Sequence, residues 1–129
     1  MPAARTIAVG DVHGCSKALN ALIDAIRPTP DDVVVMLGDY VNRGPDSRGV
    51  LDALAELRGK CRLVPLLGNH DEMALRVNDG TVDELEVAIQ RRRDWVRELP
   101  KLRPANLEFL RSCLDYYETD AHIFVHASY

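Results

Sequence analysis

The sequence lacks the features that mark several classes of protein. Its three cysteines, Cys15, Cys61 and Cys113, are odd in number and far apart, and none of them forms a CxxC pair. This spacing argues against a disulfide framework and against a thiolate zinc site, so we expect a reduced, cytoplasmic setting. The longest purely apolar run, Val33 to Leu37, is too short to cross a bilayer, and no signal-peptide pattern precedes the first predicted strand.

Positive charge is also scarce. The formal net charge is -4, and the only basic cluster is Arg91 to Arg93, close to Trp95. Binding to nucleic acid or to an anionic membrane would need a basic excess, so neither is an expected partner. Three neighbouring arginines are more typical of a solvated helix face than of a binding patch.

The order of the elements predicts an α/β fold in a single domain, residues 1–129. Short apolar runs predict buried strands at Thr6–Val9, Val33–Leu37 and Leu63–Leu67, each followed by glycine, and the first of them is rich in β-branched residues. Two helices are predicted by apolar residues at helical spacing, one after Ser16 from Leu19, Leu22, Ile23 and Ile26, and one after Pro45 from Val50, Leu51, Leu54 and Leu57. Gly59 stands where the C-terminal cap of the second helix is expected. Strands that alternate with helices in this way indicate right-handed crossovers and a mainly parallel sheet with flanking helices.

The rest of the chain predicts more helices and then a pair of strands. A short helix is expected at Asp71–Val77, and a capping box at Thr81 predicts the next helix. Pro104 is expected to start a further helix, with Leu107, Leu110 and Leu114 on its inner face. Two strands, at 115–119 and 122–125, are expected to flank a turn.

Four of the predicted strands are followed by residues that can carry chemistry. The segments after them read Gly10-Asp11-Val12-His13-Gly14, Gly38-Asp39-Tyr40-Val41-Asn42-Arg43-Gly44 and Gly68-Asn69-His70-Asp71, and the last strand ends at His126. In open α/β sheets, ligands bind beyond the carboxyl ends of the strands. A single aspartate or histidine after a strand is most often a turn or structural residue, but four such strand ends in one short chain point to a shared site.

The residue types in these segments suit divalent cations and phosphate. Carboxylate, imidazole and amide oxygen are ligands for manganese, iron or zinc. The Asp39 carboxylate has two oxygens and could bridge two ions, and a pair of ions roughly 3.5–4 Å apart can clamp a phosphoryl group. The Arg43 guanidinium offers a bidentate fork for phosphate oxygens. The set therefore predicts a two-metal site for phosphoester hydrolysis.

These motifs resemble those of the calcineurin-like metallophosphoesterases, and in particular the phosphoprotein phosphatase family. That family reads GDxHG, GDxxDRG, GNHE or GNHD, and then a histidine after a strand; this chain reads GDVHG, GDYVNRG, GNHD and FVHA in the same order. The family includes bacterial and phage serine/threonine protein phosphatases and their relative, diadenosine tetraphosphate hydrolase.

The resemblance implies a role for each residue of the motifs. The first metal would be held by Asp11, His13 and Asp39, and the second by Asp39, Asn69 and His126. Arg43 and Asn69 would bind the substrate phosphate, His70 would protonate the leaving oxygen, and the carbonyl of Asn42 would accept a hydrogen bond that orients His70. Two divalent ions are implied, with Mn²⁺ expected and iron or zinc as alternatives, and a metal-bound hydroxide would attack phosphorus.

The implied activity is hydrolysis of phosphate monoesters, with phosphoserine or phosphothreonine of a phosphoprotein, or a small phosphoester, as substrate. Asn42 stands where the protein phosphatases of the family carry aspartate, and this leaves open hydrolysis of a dinucleoside polyphosphate instead. The family also continues beyond this length, with more of a second sheet and a later histidine ligand, whereas no histidine follows His126. We therefore expect a truncated metallophosphoesterase sandwich whose second sheet is largely missing. A weak or inactive fragment, and self-association through an uncovered sheet face, are further expectations.

Overall fold

The computed structural model describes residues 4–80 and 99–127 of the chain. The predicted helix after Thr81 and the basic cluster at Arg91 to Arg93 lie outside these residues. Within them, the order is β1 (Thr6–Val9), α1 (Ser16–Ile26), β2 (Val33–Met36), α2 (Ser47–Leu57), β3 (Arg62–Pro65), α3 (Asn69–Asn78), a 3-10 turn (Leu99–Lys101), α4 (Pro104–Arg111), β4 (Tyr116–Glu118) and β5 (Ile123–Val125). No helix in the described ranges is both long enough and apolar enough to span a membrane.

The first three strands form a parallel sheet in the order β1-β2-β3. Their last residues are in register, because Val9 pairs with Met36 and Met36 pairs with Pro65. Three loops therefore leave the same edge of the sheet at the same level. This confirms the α/β class and the parallel sheet with flanking helices.

The main core lies between the sheet and the helices. It is formed by Val34 and Met36 of β2 together with the inward residues of α2, including Val50, Leu51 and Leu54, all of which are buried. From α4 it receives Phe109 and Leu110. β2 is buried on both faces, as its continuous apolar run indicates, and the inward residues of α2 recur at helical spacing, so this part of the core follows directly from the sequence.

The opposite face of the sheet is covered by the antiparallel hairpin of β4 and β5. Tyr117 and Phe124 pack on a smaller core that contains Val35, Val64 and Leu66. The expectation of an uncovered sheet face is therefore wrong over β2 and β3, because two aromatic rings from the short second sheet occupy it. This removes the basis on which self-association through that face was expected.

Three local expectations also differ from the structure. Leu114 was expected on the inner face of α4, but that helix ends at Arg111 and Leu114 is 46% exposed. Its backbone instead pairs beside β3, where Leu67 N donates to Leu114 O at 2.7 Å. Leu22 of α1 has helical spacing for the core but is 40% exposed. The C-terminal cap of α2 is Arg58, not the expected Gly59.

Candidate metal centre

The loops after β1 and β2 contact each other through their backbones, at the edge of the sheet where the carboxyl ends of the strands lie. The backbone N–H groups of Val12 and His13 both donate to the carbonyl of Asp39, at 3.1 and 2.9 Å. The contact is so close that a β carbon on Gly44 would overlap the His13 carbonyl, and one on Gly14 would lie 2.9 Å from the backbone of Gly44. Glycine at these two positions is therefore required by the close approach of the two chains.

This approach creates a first cluster of ligand groups: Asp11, His13 and Asp39. Their ligand atoms all lie within 4.8 Å of one another. His13 Nε2 is 3.6 Å from an oxygen of Asp11 and 3.6 Å from Asp39 Oδ2. The Asp39 carboxylate is nearly buried, while that of Asp11 is open to solvent. The structure thus brings together the three residues that the resemblance implies for one ion.

A second cluster shares Asp39 and adds Asn69 and His126. His126 Nε2 lies 3.3 Å from Asp39 Oδ2 and 2.9 Å from Asn69 Oδ1. His126 reaches this place because β5 ends beside the loops after β2 and β3, and its Nδ1 donates to the carbonyl of Leu37 at 2.7 Å. The packing of the hairpin on the sheet therefore brings His126 to the loops after β2 and β3.

The hydrogen bonds of the two histidines favour metal binding. His13 Nδ1 lies 3.1 Å from the carbonyl of Val41, and His126 Nδ1 contacts a carbonyl in the same way. A carbonyl only accepts, so each Nδ1 carries the proton and each Nε2 presents a lone pair to the cluster. This fixed tautomer is the one that metal-ligating histidines adopt.

The amide of Asn69 has two chemically distinct orientations. With its oxygen inward, it faces His126 Nε2 and the Asp39 carboxylate, which are also acceptors; turned over, its nitrogen would donate to the Asp39 oxygens at 3.2 Å and to His126 Nε2 at 2.9 Å. The oxygen-inward arrangement is favourable only when a cation lies among the acceptors, and the nitrogen-inward one suits the metal-free protein. The donor set, two carboxylates, two imidazoles and one amide, fits a divalent ion such as Mn²⁺, Fe²⁺ or Zn²⁺.

His70 lies next to the first cluster. Its ring centroid is 5.0 Å from that of His13, in an edge-on arrangement, and its backbone N–H donates to Asp39 Oδ1 at 3.0 Å. The buried Asn42 side chain approaches His70 Nδ1 at 3.4 Å with its amide nitrogen. The carbonyl of Asn42 was expected to face His70, so this expectation is wrong in the atom that makes the contact, although the two side chains do meet.

Arg43 follows Asn42 in the same loop. Both residues have left-handed backbone, with φ of 67° and 68°, which turns the chain sharply at this point. Arg43 is exposed, as a residue that meets a substrate phosphate must be. Asp11 and Asn69 are likewise exposed, so Arg43 lies on the open side of the site.

Asp71 is a residue of the site that sequence reasoning missed. Its carboxylate is completely buried and accepts hydrogen bonds from the backbone N–H groups of Asp39, Tyr40 and Gly68 at 2.7, 2.9 and 2.9 Å. Burial raises the pKa of Asp71 to about 6, and the three hydrogen bonds oppose that shift. A signal was present, since an acidic residue three positions after Gly68 stands where a helix-capping carboxylate belongs.

Comparison with known proteins agrees with this geometry. A sequence profile of the calcineurin-like phosphoesterase family matches residues 4–126. A symmetrical bis(5'-nucleosyl)-tetraphosphatase of Janthinobacterium sp. (strain Marseille) is 37% identical, and the match covers 95% of this chain and 43% of that protein. A tetraphosphatase of the same name from Salmonella paratyphi B is 46% identical over 58% of this chain and 26% of its own length. The chain thus spans less than half of these relatives.

Solved structures show the same likeness. One that is provisionally named a diadenosine tetraphosphatase superposes with a TM-score of 0.74 at 28% identity, covering 95% of this chain and 50% of that one. A metallophosphoesterase from Sphaerobacter thermophilus gives a TM-score of 0.67 at 26% identity, over 92% of this chain and 44% of that one. The order of the strands, the clusters at their ends and the profile match over nearly all residues lead to one conclusion: the chain belongs to the calcineurin-like phosphoesterase family.

Proposed function

We propose that this chain provides the metal-binding part of a hydrolase that cleaves dinucleoside polyphosphates. The observation that carries the proposal is that Asp39 belongs to both clusters of ligand atoms. Its Oδ2 lies 3.6 Å from His13 Nε2 and 3.3 Å from His126 Nε2. Two adjacent cation sites joined by one carboxylate suit phosphoryl chemistry. The names of the relatives, symmetrical bis(5'-nucleosyl)-tetraphosphatases, support the substrate class.

In this proposal, the ligands of the first ion are Asp11, His13 and Asp39, and those of the second are Asp39, Asn69 and His126. Bound ions, with Mn²⁺ as the proposed metal, would polarise the phosphoryl oxygens and lower the pKa of a water molecule. The carboxylates balance the positive charge, and the exposed ligand Asp11 leaves one side of the site open to substrate.

The remaining side chains act on the phosphates. Arg43 would bind phosphate oxygens of the substrate through its guanidinium. His70 would donate a proton to the oxygen that leaves phosphorus as the anhydride bond breaks and a bond to the water oxygen forms. When His70 carries the proton that it donates, its Nδ1 is a hydrogen-bond donor, so Asn42 would hold the ring with its carbonyl oxygen after its amide turns over from the orientation in which its nitrogen lies 3.4 Å from Nδ1. Symmetrical cleavage of a dinucleoside tetraphosphate by this route yields two nucleoside diphosphates.

The alternative substrate, a phosphoserine or phosphothreonine in a protein, uses the same ligand set. We rank it second, because the curated relatives reported above carry the tetraphosphatase name, and because Asn42 brings no negative charge to His70. A small phosphoester is common to both possibilities.

The test compares Mn²⁺-dependent hydrolysis of diadenosine tetraphosphate, a phosphopeptide and p-nitrophenyl phosphate by the same preparation. We expect adenosine diphosphate as the main product and no hydrolysis by Asp39→Asn, while the control Asp24→Asn, an exposed aspartate on α1, keeps full activity. Faster turnover of the phosphopeptide would replace the proposed substrate. Unchanged activity in Asp39→Asn would refute the shared-carboxylate site.

The fragment alternative has its own signature in calorimetry with Mn²⁺. Two tight sites support the enzyme, whereas one weak site together with no hydrolysis of any of the three substrates would identify an inactive fragment.

A further inference from the structure

Asp39 has a backbone conformation that L residues rarely adopt. Its φ is 59°, in the left-handed region, where aspartate is uncommon although less disfavoured than most residues other than glycine. Left-handed conformation at such a residue persists only where the surroundings determine it. Because Asp39 also contributes to both clusters, the direction of its carboxylate depends on what holds this backbone.

The backbone N–H and the side chain of Asp39 both form hydrogen bonds with residues in the first turn of α3. Its backbone N–H donates to Asp71 Oδ2 at 2.7 Å, and its side-chain Oδ1 accepts from the backbone N–H of His70 at 3.0 Å. The next residue, Tyr40, donates its N–H to the other oxygen of Asp71 at 2.9 Å. Val41 N also donates to Asp71 Oδ1, at 3.4 Å, so the carboxylate of Asp71 binds three consecutive amides of the loop after β2.

The same carboxylate also anchors the loop after β3. Gly68 N donates to Asp71 Oδ2 at 2.9 Å, so one oxygen serves the backbone of Gly68 and of Asp39 at once. Asp71 is fully buried, and its oxygens face backbone donors, not the ligand atoms of the clusters. Asp71 therefore connects the loops after β2 and β3 by hydrogen bonds. It contacts the backbone of the ligand residue Asp39 but is not itself one of the ligand residues.

We propose that Asp71 is a positioning residue that fixes the left-handed backbone of Asp39 and thereby aims its carboxylate at both clusters. This rests on the metal site of the proposed function. An asparagine at position 71 keeps the size of the side chain but turns one acceptor oxygen into an NH₂ group that faces backbone N–H donors. Two of the four amides that donate to Asp71 then lose their partner, and Asp39 is released toward ordinary backbone angles.

The experiment compares Asp71→Asn with two matched variants. Glu72→Gln makes the same change of charge at the neighbouring, exposed position in the first turn of α3. Leu54→Ala lowers stability from a fully buried position of α2 that makes no hydrogen bond to Asp39 or Asp71 through its side chain. The first readout is the Cα and Cβ chemical shifts of Asp39 in the metal-free protein, since these shifts report φ and ψ. The second is Mn²⁺ affinity by calorimetry.

We expect the Asp39 shifts to leave their left-handed values only in Asp71→Asn, and its Mn²⁺ affinity to fall about tenfold or more, as for other groups that orient a ligand. Glu72→Gln and Leu54→Ala should match the parent in both. Unchanged Asp39 shifts in Asp71→Asn overturn the proposal, and so does an equal loss of affinity in Leu54→Ala, which would make the effect one of stability alone.

Two further results keep the inference separate from the proposed function. If the parent chain binds no Mn²⁺, the proposed function fails, but the chemical shifts still decide whether Asp71 holds Asp39. If Asp71→Asn does not fold, hydrogen exchange of the parent decides: the amides of Asp39 and Tyr40 should exchange as slowly as those of β2, and rapid exchange would overturn the proposal.

Discussion

Replacing Gly68 by alanine tests how tightly the loops of the site are packed. Gly68 precedes α3 and has an ordinary φ of -87°, so alanine meets no backbone penalty there. The obstacle is space: the new β carbon would lie 2.2 Å from Asp39 N and 2.3 Å from Asp39 Oδ1, where 3.4–4 Å is ordinary contact. Gly68 and Asp39 cannot move apart independently, because the backbone N–H groups of both donate hydrogen bonds to the Asp71 carboxylate.

The size of the effect follows from two opposing terms. Forcing extra volume into a well-packed site costs about 1–3 kcal/mol. Alanine also has less freedom than glycine in the unfolded chain, which stabilises the fold by about 0.4–1 kcal/mol. We therefore expect Gly68→Ala to lower the free energy of unfolding by about 1–2 kcal/mol. Asp39 must also shift, so Mn²⁺ affinity should fall with stability.

Gly59→Ala is the matched control. A β carbon there meets only Glu56 O, at 3.4 Å, so only the unfolded-chain term applies and the variant should gain about 0.4–1 kcal/mol. With a urea slope of about 1–3 kcal/mol/M, the two variants should differ by about 1 M in their midpoints. Midpoints that coincide, or unchanged Mn²⁺ affinity in Gly68→Ala, would show that the loops are not packed as described.

Two further predictions concern parts of the fold away from the ligand atoms. Tyr40 is fully buried and its hydroxyl donates to Leu66 O at 2.6 Å, so Tyr40→Phe should cost about 1–2 kcal/mol in urea denaturation, and no loss would contradict this contact. The guanidinium of Arg5, and then the backbone N–H of Thr29, hold the pKa of Asp32 well below its usual range. The stability that this carboxylate provides is therefore complete above the unfolded-chain pKa of about 3.9 and is lost as the pH falls below it. Between pH 5 and pH 3 the parent should lose more stability than Asp32→Asn, and equal losses would locate the acid sensitivity elsewhere.

The outcomes at particular residues show where sequence reasoning succeeded. The strands before Asp11, Asp39 and Asn69 were predictable because each is a short apolar run followed by glycine, and their common edge follows from the rule that ligands bind beyond the carboxyl ends of parallel strands. The inner face of α2 was predictable for a similar reason, since Val50, Leu51 and Leu54 repeat at helical spacing. In each case the signal lies within about ten residues of the chain.

The failures arose where contacts join distant segments. Leu114 has the spacing of a helix face, yet it lies beyond α4 and pairs with the edge of β3. Tyr117 and Phe124 cover a face of the sheet that was expected to be uncovered. They do so because each strand of the short hairpin places one large ring on that face, although the sequence there shows only a short alternating pattern. The amide of Asn42, likewise, turned a different atom toward His70 from the one expected.

The sequence by itself therefore determined the order of the strands and helices, the edge at which the site forms and the types of ligand available there. Tertiary structure decided which ligand atoms meet, with Asp39 shared between His13 and His126, and it decided the role of Asp71 in the packing of the loops. The physical reason is the range of the interactions. Secondary structure depends on side-chain patterns and local hydrogen bonds, whereas the ligand geometry depends on hydrogen bonds between residues about thirty or more positions apart, such as Asp39 with Asp71 and His126 with Leu37.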